Sequence, residues 1–309
     1  MRILKIAISI LAVFIISAIS WVYLAPEQAT GFFLQADRER SGLIHKQMDL
    51  PDGTHYAYLE GGKGETLLLL HGFGADKDNF TRVAKFLTPH FHVIAPDLLG
   101  FGESSHPQDA DYSPIAQARR LQVFANTLGI TKFHLGGSSM GGHIAMTYAS
   151  LYPGDVKSLW LLDPGGVWSA PESELQTVIR ETGHNPLVSR NTADFAATFR
   201  FVMFDPPFIP RPILDVMAQE RIRNFDLDQR IFRQLKDDTV EMKIRDMPIP
   251  TLIVWGDHDR CLNVATAEIL HKLLPKSQVI IMHNIGHLPM IEDPKQSAMD
   301  FLKFQSVNP

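Results

Sequence analysis

The sequence predicts an α/β protein: a mainly parallel sheet flanked by helices, with a helical insertion above one end. Two observations carry this. From residue 54 onward, short apolar runs alternate with amphipathic ones, the signature of strand–helix units. That alternation stops between Gly166 and about Met247, where only helical patterns occur, and then resumes. A third observation sets the first 24 residues apart, because Ile6–Leu24 holds 19 residues without a charge.

That N-terminal stretch comes first in the chain. Its length is close to the roughly 20 residues a helix needs to cross a bilayer. Arg2 and Lys5 precede it, and Trp21 and Tyr23 lie at its far end, where interfacial aromatics belong. Residues 1–25 are therefore expected to be a membrane anchor through residues 6–24. The flanking charges put the N-terminus in the cytoplasm and the rest of the chain on the outer, extracytoplasmic side. A cleaved signal and a secreted product are the alternative. The apolar stretch is longer than a signal peptide's usual core, and the nearest cleavage candidate, Leu24-Ala25, is followed by Pro26.

The strands and helices follow in order. Thr54–Leu59 reads as a strand ending at Gly61-Gly62. Thr66–Leu70 is a continuous apolar run, as expected for a strand buried on both faces. Asn79–Leu87 has helical spacing, His92–Ala95 is a strand, and Ile115–Leu128 is a helix stopped at Gly129. Phe133–Leu135 is the next strand, Met140–Tyr152 the next helix, and Val156–Leu162 another strand. The insertion holds helical patterns at Glu172–Glu181, Ala193–Met203, Ile213–Arg223 and Asp228–Leu235, with PPFIPRP at 206–212 between the second and third. Strand Thr251–Trp255, helix Ala265–Leu274, strand Gln278–Met282 and helix Pro294–Phe304 complete the pattern. The expected division is a core of 26–165 and 248–309 carrying a helical cap at 166–247.

Composition narrows the function. The 309 residues are 45% hydrophobic, enough for a large core. The net charge is −5 and the basic residues are scattered, which gives no footprint for nucleic acid. One cysteine, Cys261, excludes an intrachain disulfide.

The chemistry centres on FHLGGSSMGG, residues 133–142. Gly137-Ser138-Ser139-Met140-Gly141 fits G-x-S-x-G, and of the two serines only Ser139 has glycine two positions away on each side. A strand precedes it and a helix follows, the setting in which a serine sits on a tight, strained turn as a nucleophile. Such a serine needs a base, an acid to orient that base, and an oxyanion site. His287 follows the last strand in the pair Gly-His. The acid candidates are Asp257 and Asp259 after strand Thr251–Trp255, with Asp163 after Val156–Leu162 as a third position; Asp259 is preferred. The oxyanion donors are the N–H groups of Met140 and of Phe73, the latter in the loop His71-Gly72-Phe73-Gly74.

Together these residues resemble the α/β-hydrolase superfamily over roughly Tyr58 to Phe304. The matching pieces are LLLLHGFG at 67–74, APDLLGFGES at 95–104, GGSSMGG at 136–142, WGDHD at 255–259 and IGHLPMIEDP at 285–294. The set in order is far more specific than any one piece. The resemblance places the family acid, which closes a W-G-x-x-D pattern, on Asp259, the histidine on His287 and the oxyanion donors on Phe73 and Met140. HGFGADKDNF, GGSSMGG and GDHDRCLNV carry a closer likeness to monoacylglycerol-lipase-type enzymes with an N-terminal membrane anchor and to related bacterial lipases. Haloalkane dehalogenases and epoxide hydrolases put aspartate where Ser139 stands, so the sequence departs from them. Carbon–carbon hydrolases of the ring-fission type keep the serine and remain an alternative. They would want a cationic or polar pocket, for which Arg190 or Arg200 could serve. A membrane-tethered binding protein on the same fold is the non-enzymatic alternative.

The expected function is carboxylic-ester hydrolysis through an acyl-enzyme, acting on monoacylglycerols or other acylglycerols, with no metal or cofactor. In the cap, Phe195, Phe199, Phe201, Phe204, Phe208, Met203 and Met217 either form its own core or line a channel for an acyl chain.

Overall fold

The computed structural model describes residues 2–308. In chain order the elements are α1 (Arg2–Leu24), α2 (Pro26–Arg40), β1 (Leu43–Asp49), β2 (His55–Gly61), β3 (Glu65–Leu70), α3 (Thr81–Leu87), β4 (Phe91–Pro96), α4 (Pro114–Thr127), β5 (Phe133–Ser138), α5 (Met140–Leu151) and β6 (Val156–Leu162). Four helices follow without a strand: α6 (Glu174–Thr182), α7 (Thr192–Val202), α8 (Arg211–Arg223) and α9 (Phe225–Lys236). Then come β7 (Thr251–Gly256), α10 (Thr266–Leu273), β8 (Ser277–Met282), α11 (Pro289–Glu292) and α12 (Pro294–Val307).

The eight strands form one sheet in the order β1-β2-β4-β3-β5-β6-β7-β8. β2 runs antiparallel to both β1 and β4, and every other pairing is parallel. The period-two alternation of a strand explains why the central runs are apolar throughout. Leu68, Leu70, Leu135, Leu159, Leu161 and Ile253 join one core cluster with residues of α4 and α5. Leu67, Leu69, Val93, Trp160, Leu162 and Leu252 join a second with residues of α3 and α12. Both faces of the sheet are covered, so the side chains on both are mostly apolar; the buried exceptions His134 and Ser158 hydrogen-bond to each other.

Three elements have no counterpart among the sequence expectations: β1, α2 and the four-residue α11. In β1 only Leu43 is fully buried, because the strand lies at the sheet edge, so it lacks an apolar pattern. In α2 only Ala29 and Thr30 are buried. It is held instead by a bidentate pair, Arg38 Nε and Nη2 to the Asp78 carboxylate at 2.7 and 2.5 Å. Ala29 also packs with Val22 of α1 and Ile213 of α8, so α2 touches the inserted helices as well as the core.

Within α1, Leu4–Leu24 is a 21-residue helix of mean hydropathy 2.4, long and apolar enough to cross a membrane. Only 6% of its most apolar window is buried inside the protein, so its apolar surface is not satisfied by the fold.

The parallel strands matter for chemistry because their C-terminal ends lie at one edge of the sheet. β3 runs into His71, β5 into Ser139, β6 into Asp163, β7 into Asp257–Asp259, and β8 leads to His287. Open parallel sheets build their sites at that edge.

Candidate active site

The turn between β5 and α5 is made by close backbone packing. Ser139 stands at its apex with φ 53° and ψ −116°, a left-handed conformation that L-residues other than glycine rarely adopt. A Cβ on Gly137 would lie 2.3 Å from Gly141 O, and one on Gly141 would lie 2.0 Å from Leu70 O. No side chain fits at either position, which is why both are glycine. Ser139 N–H donates to Leu162 O at 3.0 Å, and Ser139 O accepts from Gly165 N–H at 2.9 Å and His143 N–H at 3.1 Å. These bonds hold the strained residue in place. Ser138 is the other kind of serine: it is fully buried at the end of β5, and its Oγ has no hydrogen-bond partner among the described residues.

The loop after β3 lies against this turn. A Cβ on Gly72 would come within 3.2 Å of Ser139 Cβ. His71, fully buried, fixes the loop: its Nδ1 donates to Gly72 O at 2.8 Å and its Nε2 accepts from Leu98 N–H at 3.0 Å. Burial lowers its pKa, which keeps the ring neutral and able to do both. The Phe73 ring packs edge-on against Phe101 and against Phe232 of α9, at 5.8 and 5.4 Å between centroids. Among the described residues, neither Phe73 N–H nor Met140 N–H, the first amide of α5, has a backbone or side-chain acceptor. Two free amides beside a serine are what a developing oxyanion requires.

On the far side of the sheet edge, His287 Nδ1 lies 2.8 Å from Asp259 Oδ2, and both side chains are buried. Asp259 Oδ1 accepts the N–H groups of Cys261 and Leu262 at 2.7 and 3.1 Å. Asp257 points elsewhere, accepting from Asn284 N–H and meeting His283 Nδ1 near the surface. Asp163 takes the N–H of Gly256. Of the three acids considered, only Asp259 touches His287. No hydrogen bond joins Ser139 Oγ to His287 in this structure, among the described residues. The two halves are linked through the cavity: Cys261, whose sulfur lies within 4.8 Å of the ligand atoms of Asp259 and His287, lines the same space as Ser139.

Asp259, Cys261 and His287 are close enough to invite the idea of a metal site. Their chemistry does not suit one. Both Asp259 oxygens already accept hydrogen bonds, Oδ1 from two backbone amides and Oδ2 from His287 Nδ1, so neither is free for an ion.

The cavity measures about 760 Å³. Ser139, Met140 and Phe73 are among the residues that line it. Trp168, Leu175, Ile179, Leu187, Phe232, Leu235 and Leu262 supply apolar walls, with Glu172, Gln176, Arg180 and Lys236 adding polar groups. The walls come mainly from α6 and α9. None of the seven cap residues singled out from the sequence lines it. Phe204 stacks on His258 at 4.3 Å, Phe201 lies under Arg260, Phe195 contacts Phe199, Met203 is buried, Met217 packs near α1, and Phe208 is 91% exposed. Arg190 and Arg200 are likewise outside the lining; Arg190 sits over Phe225. The signal for the true walls was the apolar stripe of Glu172–Glu181 and Asp228–Leu235, which sequence alone could not aim. His143 on α5 also reaches the cavity, and burial pushes its pKa down to about 4.

A sheet of this topology, a strained serine after β5 and an insertion after β6 define an α/β hydrolase. Residues 65–200 match the alpha/beta hydrolase fold family model, and the chain belongs to that family. It is 45% identical over 282 residues to Lipase 1 of Psychrobacter immobilis, covering 89% of this chain and 88% of that one. It is 30% identical over 256 residues to the monoacylglycerol lipase ABHD6 of Mus musculus, covering 78% and 76%. Among solved structures it is similar to a bacterial membrane phospholipase A, with TM-score 0.89, 39% identity and 98% of both chains covered. The chain is a carboxylic-ester hydrolase of the lipase and esterase kind.

Proposed function

We propose that this enzyme hydrolyses acylglycerols, monoacylglycerols foremost, through an acyl-enzyme on Ser139. His287 takes the serine proton as Oγ attacks the ester carbonyl, and later returns it to the leaving alcohol. Asp259 holds the imidazole in the tautomer with hydrogen on Nδ1 and stabilises its protonated form. The amides of Phe73 and Met140 bind the oxyanion, each contributing about 3–4 kcal/mol where such donors have been removed in comparable sites. Water then releases the acid by the same steps in reverse.

The observation that carries the substrate class is the apolar cavity of about 760 Å³ opening on Ser139. Its size and walls suit an acyl chain, and its few polar groups leave room for a glycerol hydroxyl. The names of the lipase and monoacylglycerol lipase relatives point the same way. Burying a methylene is worth roughly 0.8 kcal/mol, so six more methylenes offer up to about 5 kcal/mol. On nitrophenyl esters, kcat/KM should therefore rise at least about tenfold from acetyl to octanoyl. A preference for acetyl would count against the lipid reading.

For the N-terminal helix, we infer a single membrane span with the N-terminus cytoplasmic and the catalytic domain outside. Trp21 packs with Phe32 and Phe33 at 5.5 and 6.2 Å, an aromatic cluster at the end of the apolar segment that suits a membrane interface. The mature protein should stay in the membrane fraction through an alkaline wash and retain its N-terminal segment. An N-terminus beginning beyond Leu24, with the enzyme in the soluble fraction, would show a cleaved signal instead.

A further inference from the structure

Asp163 is an acid at a strand end for which the reaction above has no task. It follows β6, is fully buried, and has a left-handed backbone with φ 44°. Asp and Asn tolerate that conformation better than other side-chain-bearing residues. The segment around it is tied to the nucleophile turn on both flanks: Ser139 N–H donates to Leu162 O, and Gly165 N–H donates to Ser139 O. Asp163 N–H itself donates to Val254 O of β7 at 3.0 Å. The side chain extends the link toward the acid loop. Its Oδ1 accepts Gly256 N–H at 2.9 Å. Its Oδ2 is buried without a donor among the described residues, and the side chain it meets is that of Asp259.

Two carboxylates in contact and shielded from water cannot both ionise. Asp259 has three donors, from Cys261, Leu262 and His287, whereas Asp163 has one. The charge therefore belongs on Asp259 and the proton on Asp163. We propose that Asp163 is a neutral carboxylic acid whose O–H donates to the Asp259 carboxylate, making it a positioning residue that locks the acid loop to the nucleophile turn. Burial and the neighbouring Asp259 charge both push the Asp163 pKa well above the carboxylate range, in keeping with the geometry. Asp163 acts through Asp259 and moves no proton during the reaction. It keeps a single negative charge opposite His287 and supplies that charge with a fourth donor.

The test compares two variants of the full-length enzyme in detergent, Asn and Gly, chosen because both residues accept a positive φ. Asp163→Asn replaces the O–H donor by an N–H and should keep kcat within about threefold of wild type. Asp163→Gly removes the donor and should lower kcat at least about tenfold with KM little changed, the loss expected for one buried hydrogen bond to a charge. Infrared spectra near neutral pH should show the C=O stretch of an un-ionised carboxylic acid in wild type that Asp163→Asn lacks, and thermal melts check that the variants fold. An Asn variant as impaired as the Gly variant, a Gly variant with full activity, or spectra without the difference band would each overturn the proposal. Should the Gly variant fail to fold, the Asn variant and its spectrum decide alone. The proposal rests on Asp259 orienting His287. If Asp259→Asn kept full activity, that reading would fall, while the wild-type infrared band would still report the Asp163 proton.

Discussion

Replacing Ser139 by alanine should lower kcat toward short nitrophenyl esters by about five to six orders of magnitude, as nucleophile loss does in other serine hydrolases. The size of the effect follows from the lack of a substitute. Ser138 is adjacent in sequence but fully buried at the end of β5, and it does not line the cavity. Cys261 lines the cavity, yet its thiol is held protonated by burial and is a poor nucleophile. The variant should fold normally, because alanine inherits the same backbone bonds to Leu162, Gly165 and His143. Esterase assays with circular dichroism on the same preparation would settle it. Activity within tenfold of wild type in a folded Ser139→Ala protein would mean that a different residue attacks the ester.

The second large effect separates two acids two residues apart. Asp259→Asn should lower kcat by about 10⁴ while leaving the fold intact, the cost of holding a catalytic imidazole in the wrong tautomer. The amide would place an N–H donor where His287 Nδ1 now meets a carboxylate oxygen at 2.8 Å. The ring must then take the tautomer with hydrogen on Nε2, which removes Nε2 as a base, or lose the bond that orients it. Asp257→Asn should stay within about twofold, since surface substitutions away from a site rarely matter. Its carboxylate serves Asn284 N–H and His283 and does not touch His287. Steady-state kinetics on both variants would show it; the reverse pattern would transfer the role to Asp257.

The fold was legible because its central strands carry an unusual pattern. Runs such as Leu67–Leu70 are apolar at every position, which occurs when a sheet is covered on both faces, and intervening helices show a stripe. The elements that escaped are those held by other forces. Edge strand β1 buries little, and α2 is docked by the Arg38–Asp78 pair, which has no periodicity to read. The candidate site was legible wherever chemistry is local in the chain. Ser139 stands out from Ser138 by its glycines, and those glycines answer to clashes of 2.0–2.3 Å with backbone.

The rest depended on contacts between residues far apart in sequence. Asp163, Asp257 and Asp259 all follow strands of one sheet, and their spacing cannot say which carboxylate meets His287. The structure decides it, since the loop after β7 turns Asp259 inward, where two backbone amides hold its Oδ1, and leaves Asp257 outward. The cavity walls were decided in the same way. Phe195, Phe199, Phe201, Phe204 and Phe208 are as apolar as Leu175, Ile179 and Phe232, but only the latter three line the cavity with Ser139, because helix packing and not composition aims a stripe. What the sequence by itself determined is the alternation of the central strands and helices, the serine turn and an N-terminal segment too apolar for water. What only the tertiary structure decided is which acid meets the histidine, which face of the cap lines the cavity, and that Asp163 meets Asp259. Those are long-range choices of packing and burial, and no local pattern in the chain encodes them.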